Sequence, residues 1–229
     1  MEIKPVCAAV IVAAGSGNRM GTTVSKQYLL LEGKEILAHT VEKFEKSKMI
    51  DEIILVVGQE DVSRMKQMAA GYGWKKISAV AQGGAEGQDS IWNGLRQTSP
   101  SVEIVLLHDG VRPFVTEEMI QASIQTAREM GACAVGVPVK DTIKVCGADD
   151  MTLETPDRSR LWQIQTPQTF RRKVIFQAFE KARKDGFVAT DDTSVAEYAG
   201  FPVKVIQGSY RNIKITTQED LLIARAFLE

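Results

Sequence analysis

The sequence predicts an α/β fold in which a mostly parallel sheet carries helices on both faces. Two observations support this class: short, β-branched apolar runs alternate with segments of helical periodicity, and the runs are nearly continuous in apolar character. Continuous apolar runs indicate strands that are buried on both sides, since a strand with one solvated face would alternate apolar and polar residues. The alternation of runs and helical segments indicates crossovers through helices.

Five runs have the length and composition of buried strands. We predict strands at VCAAVIVAA (6–14), EIILVV (52–57), KISAVA (76–81), EIVLLH (103–108) and CAVGVPV (133–139). A helix is expected near 35–47, because Leu37, Val41 and Phe44 fall on one face of a 3.6-residue period.

Two further helices carry start signals. Thr116 is followed by Glu117 and Glu118, which is the pattern of an N-cap and an acidic first turn. Thr216 with Glu219 predicts a capping box for the last helix.

The α/β order is interrupted between about 140 and 170, where turn residues and polar alternation replace helical periodicity. Two short strands, around 142–146 and 151–155, joined by Gly-Ala-Asp-Asp, would form a projecting hairpin. An isolated hairpin is marginally stable in water, so we expect this one to pack on something else, such as another subunit.

The composition, with 44% hydrophobic and 25% charged residues, is typical of a globular protein. We predict a single domain over residues 1–229. Twenty-eight basic residues balance 29 acidic ones, so neither a nucleic acid nor a membrane surface is an expected partner. No run approaches the roughly 20 apolar residues of a membrane span, and the first residues lack the features of a signal peptide. Three cysteines without a CxxC pair and only two histidines exclude an ordinary structural zinc site. We expect the thiols to be buried and reduced, as in a cytoplasmic protein.

A glycine-rich segment, AAGSGNRMGTTVSKQY (13–28), directly follows the first strand. Its glycines allow main-chain N–H groups to turn inward, and Arg19 and Lys26 would neutralise phosphate oxygens. A P-loop would have Lys after the closing glycine, where Thr22 stands, and a dinucleotide fingerprint would have glycine at Met20. The segment therefore predicts nucleotide binding of another type, with a plain glycine-rich connection as the alternative.

Three other segments follow predicted strands, and in an open parallel sheet ligands collect at that edge. In QGGAEGQDSIWNGL (82–95), a glycine turn precedes Ser90 at a helix start, where main-chain groups could contact a base. In LHDGVRPF (107–114), Asp109 suits a divalent metal or a ribose hydroxyl, with a capping turn aspartate as the alternative. His108 is assigned to packing or orientation. In SYRNIKIT (209–216), Lys214 lies between two isoleucines and is either a site cation or an exposed edge lysine.

With these motifs in hand, the sequence resembles the 2-C-methyl-D-erythritol 4-phosphate cytidylyltransferases of the non-mevalonate isoprenoid pathway. The resemblance is carried nearly end to end by AAGSGNRM with SKQY, GGAEGQDSI, HDGVRP, PVKDTIK, DRSRLWQIQTPQ, TDDTSVAEY and NIKIT. It implies a Rossmann-like nucleotidyltransferase fold, CTP as a substrate, Mg2+ as the cofactor and release of pyrophosphate. It also implies a homodimer in which a β-arm, at about 140–165 here, helps to complete the active site of the other subunit.

The same resemblance implies roles for individual residues. Those similar to catalytic groups are Arg19, Lys26, Arg158 and Lys214. Those similar to nucleotide contacts are Ala13, Ala14, Gly15, Gly17, Gly84, Ala85, Ser90, Asp109 and Gly110, with Asp109 also at the metal position. Those similar to acceptor contacts are Arg112, Thr142, Arg158, Thr190 and Lys214, with Thr142 and Arg158 supplied by the other subunit.

Three residues depart from the family pattern. Ser25 stands where proline is usual before the lysine, Gly87 stands where arginine is common, and Ala85 replaces a frequent aspartate. Gly87 is the largest departure because it removes a charge beside the nucleotide loop.

Several other functions remain open from the sequence. A ribitol-5-phosphate cytidylyltransferase shares the loop, HDxxRPF and NIKIT patterns, although PVKDTIK and DRSRLW favour methylerythritol phosphate. A sugar-phosphate uridylyltransferase is less favoured, since such enzymes commonly use a longer chain. A nucleotide-binding subunit without catalysis is supported only by Gly87, and an NAD dehydrogenase is disfavoured by the failed fingerprint.

Overall fold

A seven-stranded sheet forms the centre of the structure, a computed structural model that describes residues 6–15 and 25–228. The strands are β1 (Cys7–Ala13), β2 (Leu30–Leu31), β3 (Lys34–Glu35), β4 (Glu52–Val57), β5 (Ile77–Gln82), β6 (Ile104–Asp109), β7 (Ala132–Pro138), β8 (Val145–Cys146), β9 (Thr152–Glu154), β10 (Trp162–Arg171) and β11 (Lys204–Gln207). The helices are α1 (Ile36–Lys46), α2 (Val62–Tyr72), α3 (Gly87–Leu95), α4 (Glu117–Met130), α5 (Arg172–Asp185), α6 (Asp192–Tyr198) and α7 (Gln218–Ala226).

The strand order of the central sheet is β11-β7-β10-β6-β1-β4-β5. Within it, β10 runs antiparallel to both of its neighbours, whereas the other pairings are parallel. The chain leaves β1 toward β4 and β5 on one side and later adds β6 on the other side. The carboxyl ends of β1 and β6 therefore form a topological switch point, which is where open α/β sheets bind ligands.

The five predicted strands are confirmed, each with ends within one residue of the prediction, and the predicted helix at 35–47 is α1. The interior strand β4 is buried along its whole length, as its nearly continuous apolar character indicates. One apolar core, with Phe44, lies against one face of the sheet, and a second, with Phe170 and Phe179, lies against the other. Each fully buried side chain of this size contributes roughly 1.5–3 kcal/mol.

The helix start signals are confirmed at Thr116 and displaced by one residue at the last helix. The Thr116 hydroxyl accepts a hydrogen bond from the N–H of Met119, 3.3 Å away. At α7, the capping box joins Thr217 and Asp220 rather than Thr216 and Glu219. The Asp220 carboxylate also accepts hydrogen bonds from the hydroxyl and N–H of Thr216. These additional bonds favour Asp220 over Glu219 as the acid of the capping box.

The predicted hairpin is present as β8 and β9, which are shorter than expected. No strand was predicted in the segment after the hairpin, but this segment contains β10, a ten-residue strand. We expected buried thiols, yet Cys146 is exposed on the hairpin, because β8 has no layer covering it within the described residues. None of the described helices has the length and apolar character needed to cross a membrane.

Candidate active site

A cleft of about 810 Å³ opens at the carboxyl edge of the sheet, over the ends of β1 and β6. It brings together most of the residues that the sequence singles out. Those lining it are Ala13, Ala14, Gly15, Lys26, Gly84, Ala85, Ser90, Asp109, Arg112, Thr190 and Lys214. The cleft thus joins five segments of the chain that are separated by up to about 200 residues.

Three of the described residues that the sequence singles out, Gly110, Thr142 and Arg158, do not line this cleft. Gly17 and Arg19 lie outside the described residues. Gly110 lies behind the cleft wall, where its N–H donates to the carbonyl of Val12 at 2.8 Å. Thr142 and Arg158 are exposed near the hairpin, and the Arg158 guanidinium donates to the carbonyl of Lys140 at 2.6 Å.

The loop between β5 and α3 is held close to the end of β1. Gly83 permits this approach, because a Cβ at that position would lie 2.5 Å from the Cβ of Ala14. Ser90 lies in the first turn of α3, and its hydroxyl accepts from the N–H of Gly84 at 3.0 Å while donating to the carbonyl of Glu86. Ser90 therefore lies at the start of a helix, as predicted, and its hydroxyl holds the loop between β5 and α3 in place.

Asp109 ends β6 and is the acidic centre of the cleft. Its carboxylate lies 2.7 Å from the Nζ of Lys214 and 3.3 Å from the guanidinium of Arg112. Burial raises the pKa of the Asp109 carboxyl, but the charges of Lys214 and Arg112 outweigh that effect, and the pKa lies below its ordinary value. Asp109 is therefore ionised. Lys214 is 41% exposed, but it does not lie on an edge strand, and its ammonium group is paired with Asp109 in the cleft.

Arg112 connects the two sides of this ion pair. Its guanidinium is largely buried and donates both to Asp109 and to the main-chain carbonyl of Asn212, the latter at 2.7 Å. Asn212 is itself fully buried and donates to the carbonyl of Thr166. The segment carrying Lys214 is extended without being a strand, and Ile215 anchors it by burying its side chain and donating its N–H to Val111.

His108 is buried directly beneath Asp109, as the assignment to packing or orientation expects. Its Nε2 lies 3.1 Å from the carbonyl of Arg112, which can only accept, so Nε2 carries the proton. Its Nδ1 then accepts from the hydroxyl of Thr166 at 2.9 Å, and that same oxygen accepts from the N–H of Asp109. Burial lowers the pKa of His108 to about 4, so the imidazole is neutral at pH 7.

The start of α6 forms the far wall of the cleft and includes Thr190. Asp191 caps the helix and accepts from the N–H and hydroxyl of Ser194 and from the amide of Gln168, which ties α6 to β10. Burial, with the charges of Asp191 and Asp109, raises the pKa of the neighbouring Asp192 to about 7. The hydrogen bonds to Asp191 outweigh its burial and lower the pKa of its carboxyl, so Asp191 is ionised, whereas Asp192 titrates near neutrality.

Several residues of the cleft were not predicted from the sequence. Thr166, Gln27, Asn212 and Asp192 each line it or hold the residues that do. All four lie in segments that carry the family resemblance, SKQY, DRSRLWQIQTPQ, TDDTSVAEY and NIKIT, but no local pattern singled them out. Their roles depend on partners elsewhere in the chain.

The described residues contain no group of three or more His, Cys, Asp or Glu side chains able to hold a metal ion. Asp109 is the carboxylate at the position expected for a metal, and both of its oxygens face cations. A divalent ion at this site would need most of its ligands from a bound molecule.

Taken together, a doubly wound sheet and a cleft at its switch point, built from glycine-loop backbone and fixed cations, define a nucleotidyltransferase of the Rossmann-like class. The IspD family model, described as 2-C-methyl-D-erythritol 4-phosphate cytidylyltransferase, matches residues 7–229. The chain belongs to this family.

Similar proteins agree with this membership. A 2-C-methyl-D-erythritol 4-phosphate cytidylyltransferase of Alkaliphilus oremlandii is 47% identical, over 100% of this chain and 98% of the relative. One from Caldanaerobacter subterraneus is 45% identical, over 96% and 97%. The crystal structure of 4-diphosphocytidyl-2C-methyl-D-erythritol synthase from Anaerococcus prevotii has a TM-score of 0.87 and 37% identity, covering 98% of this chain and 96% of that one.

Proposed function

We propose that this chain transfers CMP from CTP to 2-C-methyl-D-erythritol 4-phosphate, giving 4-diphosphocytidyl-2-C-methyl-D-erythritol and pyrophosphate. The observation that carries the proposal is the cleft itself, where Lys26 and the Asp109–Lys214 pair face the glycine-lined end of β1. Family membership over residues 7–229 supports the same reaction.

The reaction is a displacement at the α-phosphorus of CTP. An oxygen of the acceptor phosphate forms the new bond to that phosphorus, and the bond to the bridging oxygen of the β-phosphate breaks, so pyrophosphate leaves with the electron pair. A phosphate monoester is largely dianionic at pH 7 and needs no general base. This agrees with His108, whose Nε2 proton and Nδ1 lone pair are both used inside the fold.

The main barrier is the approach of two polyanions, and fixed cations lower it by stabilising the charge that develops on the α-phosphate. We assign this role to Lys26 and Lys214 in the cleft, together with Arg19 and Arg158 by their match to the family. The hydrogen bond between Gly84 and Ser90 supports a main-chain surface for the cytidine. The proposed nucleotide contacts are Ala13, Ala14, Gly15, Gly17, Gly84, Ala85, Ser90, Asp109 and Gly110.

The acceptor is proposed to bind on the α6 side of the cleft. Thr190 and Lys214 line this side, and Arg112 reaches it from beneath. Thr142 and Arg158 are assigned to the acceptor from the other subunit, which is consistent with their absence from the lining of their own chain's cleft.

Mg2+ is the proposed cofactor. The single carboxylate of Asp109 fits an ion that uses one or two carboxylates and takes its other oxygens from substrate phosphates and water. When bound, the ion would supply positive charge to the phosphates. Asp109 would share its oxygens between that ion and its present partners Lys214 and Arg112.

A homodimer joined through the arm at about 140–165 is proposed for this single-domain chain. The hairpin exposes large apolar side chains, with Met151 and Leu153 65% and 71% accessible. Such side chains favour burial against another surface. A Lys26→Met subunit mixed with an Arg158→Ala subunit should regain activity if the arm works on the other subunit, whereas continued inactivity would show that each site uses one chain.

The central test is pyrophosphate release with CTP and Mg2+, comparing methylerythritol 4-phosphate with ribitol 5-phosphate and using UTP as the control nucleotide. Activity with CTP and methylerythritol phosphate is expected. Activity only with ribitol phosphate would reassign the acceptor, and inactivity with every pair would favour a nucleotide-binding subunit. We also propose a cytoplasmic location, which is supported by the absence of a disulfide bond at any of the three cysteines.

A further inference from the structure

Gln27 is a buried polar residue next to the cleft for which the reaction above has no use. Its side chain is 2% exposed, and its Nε2 donates to the main-chain carbonyl of Ala13 at 2.9 Å. A buried amide of this kind is kept only where its hydrogen bonds are made, since an unmade one costs about 1–3 kcal/mol. The bond therefore has a definite place in the fold.

The two residues joined by this bond are the two ends of the glycine-rich segment. Ala13 is the last residue of β1, which its neighbours in the sheet hold rigidly. Gln27 lies in a 3-10 turn at Lys26–Tyr28, in which the N–H of Tyr28 donates to Ser25 and that of Leu29 to Lys26. A displacement of Gln27 would thus carry Lys26 with it.

The same turn is anchored from its other side. Tyr28 is 4% exposed, and the guanidinium of Arg64 from α2 lies 3.8 Å above its ring. Tyr28 thus holds the turn through ring contacts and burial in the core. The Gln27 amide adds a directional hydrogen bond from the turn to the strand end where the proposed nucleotide contacts begin.

We infer that Gln27 is a positioning residue, whose amide fixes Lys26 relative to the Ala13–Gly15 main chain. The inference rests on the proposed function, because it requires Lys26 to act on the phosphates of a nucleotide bound at that main chain. Gln27 itself contacts no substrate. Gln27 would contribute by fixing the distance between the end of β1 and the Lys26 ammonium group. A displacement of about 1 Å between a catalytic group and its substrate can lower the rate on the order of 100-fold.

The test is a double-mutant cycle between Gln27 and Lys26, measured as kcat for pyrophosphate release. Gln27→Met keeps the size of the side chain and removes the donor, and it should lower kcat by about 10- to 100-fold. In a Lys26→Met background the same change should have almost no further effect, because there is no longer a cation to place. A residue that only stabilises the fold would give equal losses in both backgrounds.

Thr40 provides a matched control. It is fully buried in α1, and its hydroxyl donates to the carbonyl of Ile36, so Thr40→Val also removes a buried side-chain donor to the main chain. Thr40→Val should leave kcat unchanged. Gln27→Asn is a second variant that keeps an amide in the site, but the side chain is one methylene too short to reach Ala13, so it should reproduce the coupling to Lys26.

Two results would overturn the inference in distinguishable ways. Equal losses of kcat from Gln27→Met with and without Lys26, or no loss at all in the folded variant, would remove the positioning role and leave the proposed function intact. Full activity of Lys26→Met would remove Lys26 from the proposed mechanism and the role of Gln27 with it.

Discussion

Lowering the pH should destabilise this protein through His108, and the size of the effect follows from its burial. The imidazole is 2% exposed and neutral, because burial lowers its pKa to about 4 from the ordinary value of 6.5. Between these two values the unfolded chain binds a proton that the folded chain excludes. The free energy of unfolding therefore rises with pH between about 4 and 6.5. As the pH falls below 6.5, the contribution of His108 to stability is progressively lost.

The magnitude comes from the cost of deprotonating the unfolded imidazole. At pH 5 this cost is about 1.5 pH units multiplied by 1.36 kcal/mol, or roughly 2 kcal/mol, and by pH 4 it approaches about 3 kcal/mol. At pH 7.5 both states are neutral and the cost disappears. For a chain of this size, 2 kcal/mol corresponds to roughly 4–8 °C in Tm.

The assay is denaturant unfolding of the wild type and of His108→Gln at pH 5.0, 6.0 and 7.5. The difference between the free energies of unfolding of the two proteins at each pH is free of the titrations that they share, including that of Asp192. The stability of the wild type relative to the variant should fall by about 2 kcal/mol between pH 7.5 and 5.0. His39→Gln, at the other histidine of the chain, shows how much any histidine replacement contributes. A difference that stays flat across this range would refute a neutral, buried His108.

Three further predictions concern the cleft. Lys214→Met should lower kcat for pyrophosphate release by about 100-fold or more, while calorimetry should show CTP still binding; loss of both together would contradict its assignment. Gly83→Ala should weaken CTP binding, because the added Cβ would lie 2.5 Å from that of Ala14, whereas Gly71→Ala, which meets nothing within 4 Å, should not. Ser90→Ala should raise the KM for CTP by about 5- to 10-fold, and an unchanged KM would show that the loop holds its shape without this hydroxyl.

The strands of the sheet were predictable because a strand that is buried on both faces has a nearly continuous apolar sequence of its own. EIILVV becomes β4 with the predicted bounds, since every residue of it enters the core. Strand β10 contains Gln163, Gln165 and Gln168. It was not predicted because these polar residues break the apolar pattern of a buried strand. Its amides are used instead in distant contacts, as when Gln168 binds Asp191. No local pattern encodes such pairings.

The site was predictable where function needs a residue at the end of a strand, as with Asp109 after β6. Residues that act through tertiary contacts were not. Thr166 meets His108 and Asp109 across 57 or 58 positions of the chain, and Asn212 meets Arg112 across 100. Their chemistry becomes visible only once β10 and the segment before α7 are placed beside β6.

The charges around Asp109 show how cations can be held in place in a cleft before a substrate binds. Asp109, Arg112 and Lys214 together carry one net positive charge, and each is paired within the fold, which avoids the large cost of an uncompensated buried ion. Arg112 donates hydrogen bonds from Nε to Asp109 and from Nη1 to Asn212, and its Nη2 lies 3.3 Å from the Asp109 carboxylate. In the proposed reaction, the N–H groups that these contacts leave over would face the acceptor phosphate. Because Asp109, Arg112 and Asn212 already hold one another in place, the proposed site would need little reorganisation when phosphates bind, which is the condition for electrostatic stabilisation of a transition state.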